Sequence, residues 1–302
     1  MANVLTRGNN LPTQIVEEMF NLVQGKSSLA KVAAAKPIPF NGTTEFTFTL
    51  DKEADIVAEN GAKSNGGATV DPVVIRPIKF EYGTRVSDEF LYGTEEYRMD
   101  VLRQFAEGAS KKFARGLDIA AIHGLNPRTG SASAVVGNNC FDLKVTANTV
   151  QYVAASADAN IDAALAQLND VEANGVIISP AMRSAIAAMT VNGARKYPEF
   201  AWGAAPAELG GMTLDKNSTV SFGNTNAKGD HAIVGDFSAF KWGYAKQIPL
   251  EVIEYGNPDN DAQAGDLKGH NQVYLRAEAY IGWGILAPTY FSRVTVEAPS
   301  NS

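Results

Sequence analysis

The chain has 302 residues, 45% of them hydrophobic and 20% charged, which is room for one large domain or two modest ones around a substantial core. Its net charge of −7 excludes a nucleic-acid clamp, which needs a concentrated basic face, although an acidic wall would not stick to the phosphates of enclosed DNA. The single cysteine, Cys140, excludes an intrachain disulfide framework, and no apolar run approaches the roughly 18 residues of a membrane span.

Taken in order, Met1 to Arg7 lack the apolar centre of a signal peptide, so the expectation is a product made and kept in the cytosol. Residues 1–12 read as an extended arm. A helix capped by Thr13 follows, with Ile15, Met19, Phe20, Leu22 and Val23 as its apolar stripe and Gly25 as its end. Val32 to Pro39 is an extended connector broken by Pro37 and Pro39.

The stretch from Thr43 to Leu91 organises the rest. Glu45-Phe46-Thr47-Phe48-Thr49-Leu50 alternates strictly, which puts its apolar side chains on one strand face. Val73 to Phe80 is a second β-rich run, read as one strand. Between them lies a charged, then glycine-rich tip of about 20 residues, too long for a tight hairpin. This predicts a two-stranded arm that leaves its own core and must find a surface on another molecule.

Ser87 is placed to cap a turn into helix. Glu95 to His123 carries the longest helical pattern, with Leu102, Phe105, Ala109, Phe113 and Leu117 recurring at steps of three and four. Such a helix spans about 40 Å, and Gly108 and Gly116 soften it. Gly124 to Gly130 is dense turn chemistry. Ile161, Leu165, Leu168 and Val171 predict a further helix, Val176 to Ile178 a buried strand, and Ser179-Pro180 the start of another helix. Residues 192–198 and 203–211 read as loops. Short strands are expected at Thr219–Phe222, His231–Gly235 and Ile248–Ile253, then an acidic loop from Asn257 to Gly269. Val273 to Ile281 alternates cleanly and Tyr290 to Val296 closes the chain.

Motifs for chemistry are missing. There is no G-x-S-x-G, no Walker loop and no G-x-G-x-x-G. His123, His231 and His270 lack ligand spacing and read as structural or surface residues, with no metal implied. Asp259-Asn260-Asp261 lacks calcium-loop spacing and reads as a solvated turn, and Cys140 as a small buried or loop residue. No cofactor is implied. The chain reads as architecture rather than an enzyme.

The order of these features resembles the major capsid proteins of tailed bacteriophages, the Hong Kong 97 fold family. Ala54 to Gly61 is similar to the family's extended-loop signature and Arg85 to Leu91 to its lead into the spine helix. Asp118 to Gly130 resembles its helix end, Val176 to Pro180 and Val234 to Phe237 its axial strands, and Ala287 to Phe291 its closing strand. The resemblance spans residues 10–296. It implies an α+β fold with an N-terminal arm over 1–42 and an extended β-hairpin loop over 43–80. A peripheral domain would be built from 81–145 and 241–302, with its spine helix at about 95–123, and an axial domain from 146–240. The implied function is a self-assembling icosahedral shell around packaged double-stranded DNA, in the virion, assembled in the host bacterial cytoplasm. The implied partners are further copies in hexamers and pentamers, a portal protein, a separate scaffolding protein, a decoration protein and DNA held without sequence specificity, with no membrane. The alternative of the same fold is an encapsulin-type nanocompartment. A reading of another class is a cytosolic hydrolase with an irregular site.

The family's type member joins its subunits by lysine–asparagine isopeptide bonds assisted by a glutamate. By resemblance, Lys63 matches the lysine, Asn271 the asparagine, and Glu278, seven residues further on, the glutamate. Ser64-Asn65-Gly66-Gly67 departs from the proline-bearing family pattern. A neutral lysine amine can attack the asparagine amide carbon while a carboxylate accepts the proton. On one ideal strand Asn271 and Glu278 point to opposite faces, so a bulge or a strand start after Asn271 is required. The noncovalent alternative makes Lys63 a solvated loop lysine, Asn271 a strand cap and Glu278 a charge on an exposed sheet face.

Overall fold

A computed structural model describes residues 26–50, 52–168, 171–224, 229–246 and 250–296. The N-terminal arm and the helix expected after Thr13 lie outside them. The description begins with a short helix, α1 (Ser28–Val32), whose N-cap Ser27 accepts from the Ala30 N–H. Beyond it Lys36 and Ile38 donate their N–H groups to the carbonyls of Trp242 and Tyr244 at 2.8 and 3.1 Å, so the connector lies along a strand.

Two strands follow, β1 (Thr43–Leu50) and β2 (Ala68–Ile75), paired antiparallel and, among the described residues, only with each other. The run Val73–Phe80 is therefore not one strand. Proline has no N–H to donate, and Pro77 divides it. Val73–Ile75 belong to β2, while β3 (Ile78–Ser87) pairs with the long β13 (Gln272–Ile285). After a single turn, α2 (Glu89–Tyr92), comes α3 (Glu95–His123), with the expected limits. Thr94 caps it by accepting from the Tyr97 N–H, and Gly124 ends it in the left-handed region at φ +67°.

The α3 stripe lies on the sheet formed by β3, β13, β11 (Phe240–Lys246) and β12 (Leu250–Ile253), where β11 and β12 flank β13 on the side away from β3. Ala277, Ala279, Ile281, Trp283 and Ile285 face the helix, as period-2 alternation requires. Gly116 lets Phe80 approach: a Cβ there would sit 3.1 Å from the Phe80 ring. The buried indoles find acceptors, Trp242 Nε1 on the Ala33 carbonyl and Trp283 Nε1 on the Asn139 carbonyl, both at 2.8 Å.

The second layer is a six-stranded sheet in the order β4 (Thr149–Gln151), β14 (Phe291–Thr295), β10 (Asp230–Gly235), β5 (Gly175–Ile178), β9 (Met212–Lys216), β8 (Glu208–Leu209). Its faces serve two cores. Ile177, Ile233 and Phe291 join the α3 core, with α4 (Phe141–Lys144) wedged in through Phe141. Val176, Ile178, Ala232, Val234 and Val294 face α5 (Ala157–Ala166) and α6 (Pro180–Ala188). Burial on both faces explains the unbroken apolar run of β5. Ser179 caps α6 by accepting from the Met182 N–H, with Pro180 first in the helix. A two-residue hairpin, β6 (Thr190–Val191) with β7 (Ala194–Arg195), projects beyond.

Residues 219–222 form turns, not the expected strand. The Thr219 hydroxyl donates to the buried carboxylate of Asp118 at 2.9 Å and its carbonyl accepts from His123, so the segment is spent on α3 rather than on a sheet. The helix expected from Ile161 to Val171 stops at Ala166. β14, from the 241–302 segment, pairs with β10 and β4 and so joins the sheet of the 146–240 segment.

Candidate assembly surface and crosslink residues

Eight-residue strands at about 3.4 Å per residue make β1 and β2 a ribbon of about 27 Å. Its register sets Phe46 opposite Pro72, Phe48 opposite Val70 and Leu50 opposite Ala68, all on one face. That face is open: Phe46 is 70% exposed, Phe48 66% and Leu50 67%. Among the described residues, only the base is anchored. Ile75 is buried against Gly282 and Gly284, where a Cβ on Gly284 would come within 2.7 Å of its side chain. Glu45 pairs with Lys241 at 2.7 Å. Contiguous exposed apolar side chains mark an interaction surface, and each is worth about 1.5–3 kcal/mol once covered.

Residues 52–67 lie at the tip of the ribbon without regular structure, apart from a turn in which the Gly61 N–H reaches the Ala58 carbonyl and Asn60 takes φ +68°. Lys63 is exposed there. Asn271 is exposed too, left-handed at φ +53°, immediately before β13 begins. Its carbonyl accepts from the Asp88 N–H.

Glu278 does not lie on an exposed face. Its side chain is 11% exposed and salt-bridged to Lys79 at 2.6 Å, with Arg276 Nε at 3.4 Å. Its hydrogen bond holds the Lys79 pKa above the ordinary lysine value, against a small effect of burial. Along β13, Asn271 and Glu278 stand about 20 Å apart, so one copy does not bring them together.

The other singled-out residues are structural. The Asp259–Asp261 turn is more than solvated: Arg85 donates to Asp259 through Nε at 2.8 Å and also reaches Asn257, Gln272 and the carbonyls of Ala264 and Gly265. That hydrogen bond sets the Asp259 pKa at about 2. Cys140 is fully buried, and burial pushes its thiol up. His231 stacks on Tyr152 at 3.8 Å and its Nδ1 meets the Ser179 hydroxyl.

His123, Asp142 and Asp230 offer ligand atoms within 4.8 Å of one another. Arg293 stands among them, forking onto Asp230 and reaching Asp142 at 2.9 Å. Burial pushes the Asp230 carboxyl up to about 7 against the pull of Arg293. Asp142 is held below the ordinary range, because His123 and Arg293 outweigh its burial. Sequence reasoning missed this network and Arg85; the one visible signal nearby was Asp118, a charge inside the apolar run from Gly116 to Ile122.

The Phage capsid family model matches residues 7–296. A solved structure from Mycobacterium phage Ogopogo is 30% identical at TM-score 0.77, covering 90% of this chain and 92% of that one. One from Gordonia phage Cozz is 24% identical at TM-score 0.72, covering 90% and 87%. The capsid of a native GTA particle computed with C5 symmetry shares the fold at 16% identity and TM-score 0.62, covering 90% of each chain. No curated protein matches the chain.

Proposed function

Because the chain belongs to the phage capsid family, we propose that it is the major shell subunit of a tailed phage, assembling with copies of itself into an icosahedral shell around double-stranded DNA. The observation that carries this reading is the ribbon of β1 and β2: an exposed apolar face on an element that the described residues anchor only at its base. A lone subunit gains nothing from that face, and a neighbouring copy covers it. The acidic balance suits a wall that does not adhere to packaged phosphate. Portal, scaffolding and decoration proteins belong to the same reading, as does assembly in the host cytoplasm. The phage capsid match favours this over a nanocompartment. The experiment is expression followed by electron microscopy: closed shells are expected, and Phe46→Ser with Phe48→Ser leaves soluble folded subunits. A wild type that stays monomeric under all assembly conditions contradicts the reading.

The finer proposal is covalent. The neutral amine of Lys63 of one copy attacks Cγ of Asn271 of another; Glu278 takes the amine proton and passes it to the Asn271 side-chain nitrogen, the C–N isopeptide bond forms, and that nitrogen leaves as ammonia. The exposure of Lys63 and Asn271 supports a bond made between copies, and the distance from Asn271 to Glu278 calls for a Glu278 from a third. Glu278 must release Lys79 to act. Denatured mature particles should run as ladders, and Lys63→Ala particles as monomer. Wild-type particles that dissolve fully to monomer remove the crosslink and leave the shell.

A further inference from the structure

The sequence has five Asn-Gly pairs, at Asn41, Asn60, Asn65, Asn174 and Asn192. Such a pair can react with itself, because glycine has no Cβ to keep its backbone nitrogen away from the asparagine amide carbon. Four of the five are held. The Gly42 N–H donates to the Pro39 carbonyl and the Gly61 N–H to the Ala58 carbonyl, both at 2.8 Å. The Asn174 amide is fixed at both ends, donating to Asp236 and accepting the Phe237 N–H at 2.8 Å. Asn192 and Gly193 are both left-handed, at φ +53° and +82°, as the two-residue turn of the β6–β7 hairpin.

Asn65-Gly66 differs from all four. It is exposed, lies outside any helix or strand, and among the described residues the Gly66 N–H meets no acceptor. Its peptide carbonyl meets a cation instead: Lys52 Nζ donates to the Asn65 backbone oxygen at 3.3 Å. When the Gly66 N–H loses its proton to hydroxide, the charge spreads onto that oxygen, where an ammonium stabilises it. We propose that Asn65 is a self-modifying site. The Gly66 nitrogen attacks Asn65 Cγ and closes a succinimide ring. The bond from Cγ to Nδ2 breaks, and Nδ2 takes a proton from water and leaves as ammonia. Water then opens the ring to aspartate or isoaspartate. Each event adds one negative charge to a chain at −7 and offsets Lys63 two residues away. The arm tip thereby records the age of a subunit, irreversibly and without an enzyme. Neither the shell nor the crosslink is assumed.

The test is peptide mass spectrometry of the folded full chain held for days at mildly alkaline pH, with an unincubated sample as background. The tryptic peptide 64–79, in which Asn65 is the sole asparagine, should gain one mass unit and split into two isomers. Peptides holding Asn41, Asn60, Asn174 and Asn192 should stay largely unchanged. In urea the preference for Asn65 should fall away. Lys52→Ala should slow conversion of Asn65 several-fold in the folded chain, and Lys52→Arg, which keeps the cation, should restore most of the rate. Gly66→Ala should slow it further still. Asn65 left intact, the held asparagines converting as fast as Asn65 in the folded chain, or a Lys52→Ala rate equal to wild type would each overturn the inference.

Discussion

The carboxylate of Asp118, in the last two turns of the spine helix α3, accepts the backbone N–H of Ser28 at 3.0 Å across ninety residues of chain. It also accepts from the Leu29 N–H, the Ser27 and Thr219 hydroxyls and the Asn217 amide. The N–H groups at a helix start have no intrahelical partner, so a buried carboxylate there anchors the whole of α1. Burial pushes its pKa up to about 6, while these donors pull it down.

Asp118→Ala should therefore strand several buried donors at once. The expected loss is about 3–5 kcal/mol, read as a lower denaturant midpoint of the unassembled subunit. Asp118→Asn keeps the volume and one acceptor and should lose less. Equal, small effects of the two substitutions would show that Asp118 is not the anchor.

His123 gives a pH dependence. Its Nδ1 meets Asp142 at 3.0 Å and its Nε2 meets the Thr219 carbonyl at 2.9 Å, so both nitrogens face acceptors and the ring is charged. Burial opposes the charge, but Asp142 outweighs it and the pKa is raised above 6.5. A raised histidine pKa stabilises the fold fully below the unfolded value, and that share is lost as pH rises through the folded one. The difference in melting temperature between wild type and His123→Gln should be largest below pH 6.5 and shrink as the pH rises above it. The difference isolates His123 from the other titrating groups. A constant difference would mean that the ring is neutral throughout.

Gly284 controls the base of the arm. Gly284→Val places side-chain atoms where Ile75 now lies, at an overpacking cost of about 1–3 kcal/mol. The subunit should remain folded by circular dichroism yet assemble poorly, because the arm leaves its base at a different angle. Normal shells from this variant would detach arm direction from the glycine.

Arg85 holds the acidic loop. Arg85→Ala should open residues 256–266 to limited proteolysis while α3 stays protected. Arg85→Lys should rescue only partly, because an ammonium cannot reproduce the guanidinium fork across Asp259 and Asn257. Unchanged cleavage in Arg85→Ala would place the loop's order elsewhere.

Much of this fold is written locally. The stripe and caps of α3, the Ser179-Pro180 start of α6 and the alternation of β13 are short-range signals, and the structure follows them. β9 and β11 were not legible, because β11 pairs with β13 and β9 with β5 across about 40 residues, and the near neighbour of β9, β8, is only two residues long. Phe240, Trp242 and Tyr244 alternate, but glycine and lysine between them blur the run. The same limit hid the site's surroundings. Phe46 and Phe48 announce an apolar face and the long tip an arm that leaves its core, but nothing local announces that Ile75 anchors the base on Gly284. Glu278 reads as a surface charge until β3 brings Lys79 to it. Arg85 finds Asp259 across 174 residues, which no local pattern signals.

The central claim, that the arm is completed by another copy, is tested most directly by cryo-electron microscopy of assembled shells. Phe46, Phe48 and Leu50 should be buried against an adjacent subunit. An arm still open to solvent in the closed shell, or folded back over its own sheet, would contradict the account.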